Sequence, residues 1–208
     1  MRGKFVTFEG CEGSGKSTQL KLLAEKLDAA GVDYILTREP GGSRIAERIR
    51  EIILDGKNTD MCDECEALLY AAARIQLVKE KILPALQAGK LVICDRYVHS
   101  SLAYQGHARG LGEGYVAEIN RFAIDNCRPD LTVFLNIPPD RAFERKHGAD
   151  RDDRMEQLGL EFHKKVYSGY CALMANYPEI CPVDCSGSKY QTNANIWQLF
   201  VQKGIVRG

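Results

Sequence analysis

A glycine-rich loop at residues 8–18, with the sequence FEGCEGSGKST, constrains this chain more than any other feature. It follows the apolar residues 5–8 and precedes residues 19–24, QLKLLA, which favour a helix. Gly10, Gly13 and Gly15 let the backbone adopt positive φ angles, so that successive N–H groups can surround an anion at a helix N-terminus. The loop therefore predicts a strand, a phosphate-binding turn and a helix, and with them a nucleoside triphosphate site.

Residues 10–18 of this phosphate loop are candidates for contact with the nucleotide. Lys16 would reach the β- and γ-phosphates, and the Ser17 hydroxyl would bind Mg²⁺. A merely flexible loop would not need the strand before it and the helix after it. The nucleotide-binding candidates are Gly10, Cys11, Glu12, Gly13, Ser14, Gly15, Lys16, Ser17 and Thr18.

Composition limits the size and the partners of the fold. With 208 residues, of which 45% are hydrophobic, the chain can form one α/β domain or two small ones. Basic and acidic residues number 28 each, so no overall field attracts nucleic acid or an anionic membrane. The first apolar run is cut at Glu9 and the run Ala67–Ala73 ends at Arg74, so we expect neither a signal peptide nor a membrane span. A cytoplasmic protein is the expectation.

Eight cysteines raise the question of disulfides or bound metal. Free thiols are the simpler expectation, because a nucleotide motif is typical of reducing compartments. Cys62 and Cys65 form a lone CxxC, which leaves a structural zinc site as the alternative. Cys94 and Cys185 lie in strand-like runs and are expected in the core. Cys11, at a helix N-terminus, is expected to have a lowered pKa and to be open to oxidation.

Apolar runs of strand length alternate with segments of helical period along the whole chain, which is typical of repeated βαβ units. We therefore predict one α/β domain over residues 1–208, in a three-layer P-loop NTPase fold whose five-stranded parallel sheet is flanked by helices. The predicted strands are Lys4–Phe8, Tyr34–Thr37, Leu91–Asp95, Leu131–Ile137 and Ile180–Asp184. The predicted helices are Lys16–Ala30, Ser43–Leu54, Glu64–Gln87, Gly114–Asn126, Pro139–Lys146, Glu156–Tyr177 and Asn193–Lys203.

Two of the predicted strands end in charged residues. Asp95 and Arg96 follow a buried apolar run, and Arg38 follows another. In doubly wound sheets the carboxyl ends of the strands face the ligand crevice, so Asp95 can support Mg²⁺ and both arginines can reach phosphate oxygens. The alternative for Asp95 and Arg96 is a strand-end ion pair. Together, Arg38, Arg96 and Lys16 carry more positive charge than one triphosphate needs. This excess implies a second phosphate-bearing substrate.

Several motifs together resemble the thymidylate kinases of the nucleoside monophosphate kinase group. They occur in the order found in that family and span nearly the whole chain. The motifs are FEG at 8–10, TREPGG at 37–42, AARIQL at 72–77, DRY at 95–97, AYQG at 103–106, RPDLT at 128–132 and DRME at 153–156. The resemblance implies a dTMP kinase that forms dTDP from dTMP, ATP and Mg²⁺, as a homodimer.

The resemblance also implies a pocket for the thymine base. Arg74 would bond to the edge of the base and Tyr70 would stack on its face, where the family usually has phenylalanine. Ser101 and Gln105 would complete this base pocket. An aromatic face binds any base, whereas polar groups reject the base that leaves them unpaired. Tyr70 could instead be a core residue, since aromatic side chains on helices usually are.

Further roles follow from the same resemblance. Arg38 and Arg96 would bind the acceptor phosphate, Tyr104 would lie against the sugar at C2′, and Glu12 would contact the 3′-hydroxyl. Lys16 and Arg96 would act in catalysis together with a lid arginine. Ser17, Asp95 and Glu9 would hold or support the metal ion.

The charged stretch from Arg145 to Arg154 is either a solvated turn or a lid that closes over ATP. Some family members carry a basic residue inside the phosphate loop, but this chain has none there before Lys16. The missing charge must come from elsewhere, so we interpret residues 145–154 as the lid of bacterial-type members. Arg151 is the catalytic candidate, although the spacing does not decide between it, Arg145 and Arg154.

Overall fold

The structure is a computed structural model, and it describes residues 2–145, 154–155 and 157–207. In this part of the chain, five strands form one parallel sheet in the order β2-β3-β1-β4-β5. The predicted α/β architecture with a five-stranded parallel sheet is confirmed. The strands are β1 (Phe5–Glu9), β2 (Tyr34–Arg38), β3 (Leu91–Asp95), β4 (Leu131–Asn136) and β5 (Ile180–Asp184).

Helices cover both faces of the sheet. The α-helices of the described residues are α1 (Lys16–Ala29), α2 (Arg44–Leu54), α3 (Asp63–Leu77), α4 (Leu83–Gln87), α5 (Val98–Ser101), α6 (Glu113–Ile119), α7 (Arg121–Asn126), α8 (Pro139–Arg145), α9 (Leu160–Asn176) and α10 (Lys189–Gln202). A π-helical segment, Val78–Ile82, joins α3 to α4, and a second one, Leu102–Ala108, continues α5.

The core consists of two apolar clusters, one on each face of the sheet. Val6 and Phe8 of β1 pack in the cluster that also contains Leu23 of α1. Phe5, whose side chain points to the opposite face, packs with Tyr170 of α9. Side chains of a strand alternate between faces, and β1 is buried along its whole length, as expected for a strand covered on both sides.

The register brings the strand ends to one edge of the sheet. Asp95 of β3 pairs with Phe8 on one side and with Arg38 of β2 on the other. The backbone N–H of Arg96 donates to the carbonyl of Phe8 at 2.9 Å. Residues that are far apart in sequence therefore meet at the carboxyl edge, directly beside the phosphate loop.

Two differences from the predicted elements bear on the site. The segment predicted as Gly114–Asn126 is two helices, α6 and α7, separated at Asn120. The helical residues 98–108 were not predicted at all. Their sequence, VHSSLAYQGHA, mixes good helix formers, leucine and alanine, with serine, valine and glycine, which are poorer ones, and close packing against α9 supports the helix.

None of the helices in the described ranges combines the length and the apolar composition needed to cross a membrane.

Candidate functional site

A cleft of about 440 Å³ lies at the carboxyl ends of the central strands. It brings together residues from the phosphate loop, the strand ends, α3 and the segment 98–108. The sequence-predicted site residues that line it are Glu12, Gly13, Ser14, Gly15, Lys16, Ser17, Thr18, Arg38, Tyr70, Arg74, Asp95, Arg96, Ser101, Tyr104 and Gln105. Gly10, Cys11 and Glu9 do not line it.

The phosphate loop has the backbone geometry that its glycines require. The φ angles are 151° at Gly10, 75° at Gly13 and 90° at Gly15. A Cβ atom at Gly13 would lie 2.2 Å from the carbonyl oxygen of Ala142, so no other residue fits there. The loop leads directly into α1 at Lys16, and it thus presents backbone N–H groups and a helix N-terminus to the cleft.

Lys16 is largely buried at the floor of the cleft. Its Nζ donates to the carbonyl oxygens of Gly10 at 3.1 Å and Cys11 at 3.3 Å. Burial lowers the pKa of Lys16, and the neighbouring positive charge of Arg96 lowers this pKa further. An anion placed in the cleft would oppose both effects, because it favours the charged form of the lysine.

Arg96 is held from three sides. Its Nη2 donates to Glu12 Oε1 at 2.5 Å, its Nη1 donates to the Gly10 carbonyl at 3.2 Å, and its guanidinium lies 5.1 Å from the centre of the Tyr104 ring. The φ angle of Arg96 is 67°, which is uncommon outside glycine. Such backbone conformations concentrate at functional sites, where the surrounding structure maintains them.

Glu9 lies beneath the cleft rather than in it. Its carboxylate accepts hydrogen bonds from the Tyr97 backbone N–H at 2.9 Å, the Ser100 hydroxyl at 2.5 Å and the Tyr170 hydroxyl at 2.7 Å. These contacts tie β1 to the start of α5 and to α9. Both carboxylate oxygens thus contact protein groups, which fix the orientation of the Glu9 side chain.

Asp95 and Ser17 are the residues of the cleft that fit a magnesium ion. Asp95 Oδ1 is buried and has no hydrogen-bond partner among the described residues. Ser17 lines the same cleft from the first turn of α1. Oxygen atoms of a carboxylate and a hydroxyl are the ligand type that Mg²⁺ prefers.

Arg74 is fixed by a polar network on the opposite wall. Its side chain is almost fully buried, and it donates to Glu39 Oε2 at 2.6 Å, to the Ser101 hydroxyl at 3.1 Å, to the Tyr97 carbonyl at 3.1 Å and to Asn120 Oδ1. Burial raises the pKa of Glu39 to about 7, although the charge of Arg74 opposes this rise. The guanidinium is therefore oriented before any ligand binds.

Several residues at or near the cleft were missed by sequence analysis. Glu39, Pro40, Arg50, Leu54, Ser100 and Met155 also line it. Glu39 and Pro40 belong to the TREPGG motif that carried the resemblance, so a signal was present there. Arg50 donates to the Pro40 carbonyl at 3.0 Å, which no sequence pattern indicates.

The structure describes the two ends of the predicted lid. Arg145 lines the cleft, and its Nη1 donates to the Cys185 carbonyl at 3.0 Å. Arg154 points elsewhere: its Nη2 lies 2.5 Å from Glu66 Oε2 and its Nε donates to the Ile53 carbonyl at 3.0 Å. Arg151, the catalytic candidate, lies outside the described residues.

The prediction of a reactive thiol at Cys11 is wrong. The side chain is 1% exposed, and burial raises its pKa to about 11 despite the neighbouring charges of Lys16 and Arg96. All eight thiols are free. Cys94 and Cys185 are buried as predicted, whereas Cys62 and Cys65 are exposed at the start of α3.

Comparison with known proteins identifies the family. The family model for thymidylate kinase matches residues 8–196. A thymidylate kinase from Oceanobacillus iheyensis is 52% identical over 182 residues, which are 86% of this chain and 80% of that protein. A thymidylate kinase from Caldanaerobacter subterraneus is 50% identical over 86% of this chain and 85% of its own length. A thymidylate kinase from a Geobacillus species is 49% identical and covers 89% of this chain and 90% of its own. The chain therefore belongs to the thymidylate kinase family.

Proposed function

We propose that this protein transfers the γ-phosphoryl group of ATP to dTMP, with Mg²⁺, and releases ADP and dTDP. The observation that carries the proposal is the convergence on one cleft of Lys16, at the start of α1, with Arg38 and Arg96, at the ends of β2 and β3. One triphosphate does not need all three cations, whereas a donor and an acceptor phosphate together do. The relatives named thymidylate kinase support dTMP as the acceptor.

The donor occupies the phosphate-loop side of the cleft. Backbone N–H groups of the loop and the N-terminus of α1 surround its phosphates, and Lys16 contacts the β- and γ-phosphates. Ser17 and Asp95 would hold the metal ion, and Glu9 would contribute by fixing Tyr97 and Ser100 beside Arg96. Bound Mg²⁺ would neutralise charge that develops between the donor oxygens.

The acceptor occupies the opposite side. Arg38 and Arg96 bind the monophosphate, since a guanidinium fork matches two phosphate oxygens. The base pocket is formed by Tyr70, Arg74, Ser101 and Gln105, all of which line the cleft. Tyr104 and Glu12 lie beside Arg96, and this position supports their assignment to the sugar of dTMP.

An oxygen of the acceptor phosphate attacks the γ-phosphorus, the bond from that phosphorus to the β–γ bridging oxygen breaks, and its electron pair leaves with ADP. The acceptor phosphate is largely a dianion at neutral pH, because its second pKa is about 6, and no general base is needed. Lys16, Arg96 and one lid arginine stabilise the charge on the transferred group. Arg151 remains the candidate, and Arg145, which lines the cleft, is its competitor.

We also propose that the chain, as a single domain, forms a homodimer through α2 and α3. Ile45 and Ile52 of α2 and Leu68 of α3 are 41%, 49% and 51% exposed, and the two helices pack against each other. Exposed apolar side chains grouped in this way mark interaction surfaces. Sedimentation equilibrium should give twice the chain mass, and Leu68→Glu should give the monomer mass.

The eight free thiols favour a reducing compartment, which we take to be the cytoplasm.

The activity is tested with a coupled assay for ADP formation, using dTMP, UMP, CMP and GMP as acceptors at equal concentration. We expect turnover with dTMP to exceed turnover with the other monophosphates by at least about tenfold, the effect of one unpaired buried hydrogen-bonding group. Equal turnover with all four acceptors would overturn the thymidylate assignment. ADP formation that does not depend on any acceptor would overturn the kinase assignment.

A further inference from the structure

Glu66 is a buried charge outside the cleft. It lies in the first turn of α3, its side chain is 0% exposed, and it is not among the residues that line the cleft. Glutamate is almost never fully buried unless it is paired. No role for Glu66 follows from the phosphoryl transfer described above, so its partners need a separate explanation.

One partner of Glu66 belongs to the base pocket. Gln105 Nε2 donates to Glu66 Oε1 at 2.8 Å, and both side chains are nearly inaccessible. Gln105 lies on the π-helical segment Leu102–Ala108, where its amide could rotate by half a turn and exchange donor for acceptor. A carboxylate only accepts hydrogen bonds, so Glu66 fixes which end of the amide faces it and which end faces the base.

The other partners of Glu66 are two arginines, Arg109 and Arg154. Arg154 Nη2 lies 2.5 Å from Glu66 Oε2, and the Arg154 backbone N–H donates to the Leu54 carbonyl at 2.9 Å. Arg109 donates to the same Oε2 at 3.0 Å. The side chains of Arg109 and Arg154 are 18% and 11% exposed. Removal of Arg154 would leave the buried carboxylate with Arg109 as its one remaining cation among the described residues.

We propose that Glu66 is a positioning residue that couples thymidylate recognition at Gln105 to the anchoring of Arg154 against α2 and α3. The inference rests on the proposed function, because it assigns Gln105 to the base pocket. One carboxylate serves both: Oε1 holds the amide of Gln105, and Oε2 holds the guanidinium of Arg154. Each contact orders the carboxylate that the other contact needs, so each strengthens the other.

The first test is Glu66→Gln, which keeps the side-chain shape and removes the charge. We expect kcat/KM for dTMP to fall on the order of tenfold, since a hydrogen bond to a charged group contributes more than a neutral one. We also expect trypsin to cleave the variant faster after Arg154, and the masses of the released peptides measure this cleavage. In the wild type, dTMP should slow this cleavage; in the variant, dTMP should no longer do so.

The matched control is Glu179→Gln. Glu179 pairs with Arg128 at 3.0 Å and its side chain is 9% exposed, but it does not line the cleft. This variant should lower stability while leaving both kcat/KM for dTMP and the dTMP protection of Arg154 unchanged. If Glu66→Gln behaves like this control, Glu66 is a structural residue and the inference is wrong.

A double-mutant cycle tests the coupling even if Glu66→Gln does not fold. Gln105→Met and Arg154→Met each remove one contact and leave Glu66 paired with Arg109. If Glu66 couples the two sites, the loss of kcat/KM for dTMP in the double variant should differ from the product of the single losses by at least about threefold. Losses that multiply would overturn the inference. A wild type without dTMP kinase activity would instead overturn the proposed function.

Discussion

Arginine side chains in the cleft are held by neighbouring residues, most of which do not line the cleft themselves. Arg74 is oriented by Asn120 and by the Tyr97 carbonyl, and Arg96 is supported from below by Ser100, which Glu9 fixes. Burying the charged and polar groups of these neighbours costs free energy of folding. In return, the guanidinium groups are ordered before the substrate arrives, which reduces the entropy lost on binding.

Arg74→Met is expected to affect stability and recognition through different partners. Without Arg74, the buried Glu39 loses the one cation that pairs with it among the described residues, and the free energy of unfolding should fall by about 3–5 kcal/mol. The KM for dTMP should rise, while the KM for ATP should change little. Urea unfolding and steady-state kinetics measure the two effects.

The control for this variant is Arg74→Met combined with Glu39→Gln. It removes the unpaired charge as well, so it should recover part of the lost stability but none of the affinity for dTMP. Recovery of both together would mean that Arg74 acts only through the fold.

Lys16→Ala should abolish most turnover without unfolding the protein. The lysine contributes only hydrogen bonds to two carbonyl groups of its own loop, whereas loss of a cation at the transferred phosphoryl group typically costs 10²- to 10⁵-fold in rate. Lys21→Ala, which removes an exposed lysine from the same helix, should keep wild-type kcat. Similar rates in the two variants would contradict the role of Lys16.

Among the helices and strands, the segment 98–108 does most to shape the base pocket. It carries Ser101, Tyr104 and Gln105, and it packs closely against α9. The close approach depends on Gly169 of α9: a Cβ atom there would lie 2.9 Å from His107 Cβ and 3.2 Å from Ala103 Cα. The position of the pocket wall thus depends on a helix that contributes no side chain to the wall itself.

Gly169→Ala is therefore expected to destabilise the protein by about 1–3 kcal/mol, the usual cost of overpacking, and to raise the KM for dTMP. Gly114→Ala is the matched control, because Gly114 also lies in a helix but has nothing within 4 Å of the added Cβ. That variant should be neutral or gain up to about 1 kcal/mol. Thermal unfolding and kinetics compare them, and equal stability of the two variants would show that α9 can shift away without cost.

At the scale of the whole molecule, an ion pair that does not line the cleft adds stability that depends on pH. Glu179 precedes β5, and its carboxylate accepts from Arg128 at 3.0 and 3.2 Å and lies 3.6 Å from His99 Nε2. Burial alone would raise the pKa of Glu179, but the hydrogen bonds from His99 and Arg128 lower it to about 2. These contacts connect the edge of the sheet to the buried His99.

A pKa that is lowered in the folded state determines the direction in which the free energy of unfolding changes with pH. The contribution of Glu179 is complete above its unfolded value of about 4.5 and is lost as the pH falls toward about 2. Glu179→Gln should therefore lower the free energy of unfolding at pH 6. Between pH 4.5 and 2, this free energy should fall less steeply in the variant than in the wild type. Urea unfolding at several pH values measures this, and Arg128→Met should reduce the same acid dependence. An unchanged slope in both variants would refute the assignment.

The sequence by itself determined that the chain forms a parallel sheet from repeated βαβ units. It also determined the phosphate loop and the charged residues at the strand ends. These follow from local signals: apolar runs of strand length, glycines at required positive φ angles, and Asp95 and Arg96 directly after a buried run. Such signals are visible in one sequence because each depends on residues that are neighbours along the chain.

Tertiary structure alone decided that residues 98–108 are helical and that Cys11 is buried. It also decided which residues pair with Arg74, Arg154 and Glu66. The segment has mixed helix propensity, and α9 packs closely on it. Cys11 lies where a reactive thiol would be expected from position, but burial outweighs the nearby cations. Glu66 and Arg154 are 88 positions apart and become a pair only in the fold. Burial and long-range pairing depend on which surfaces meet, and no local pattern in the sequence encodes that.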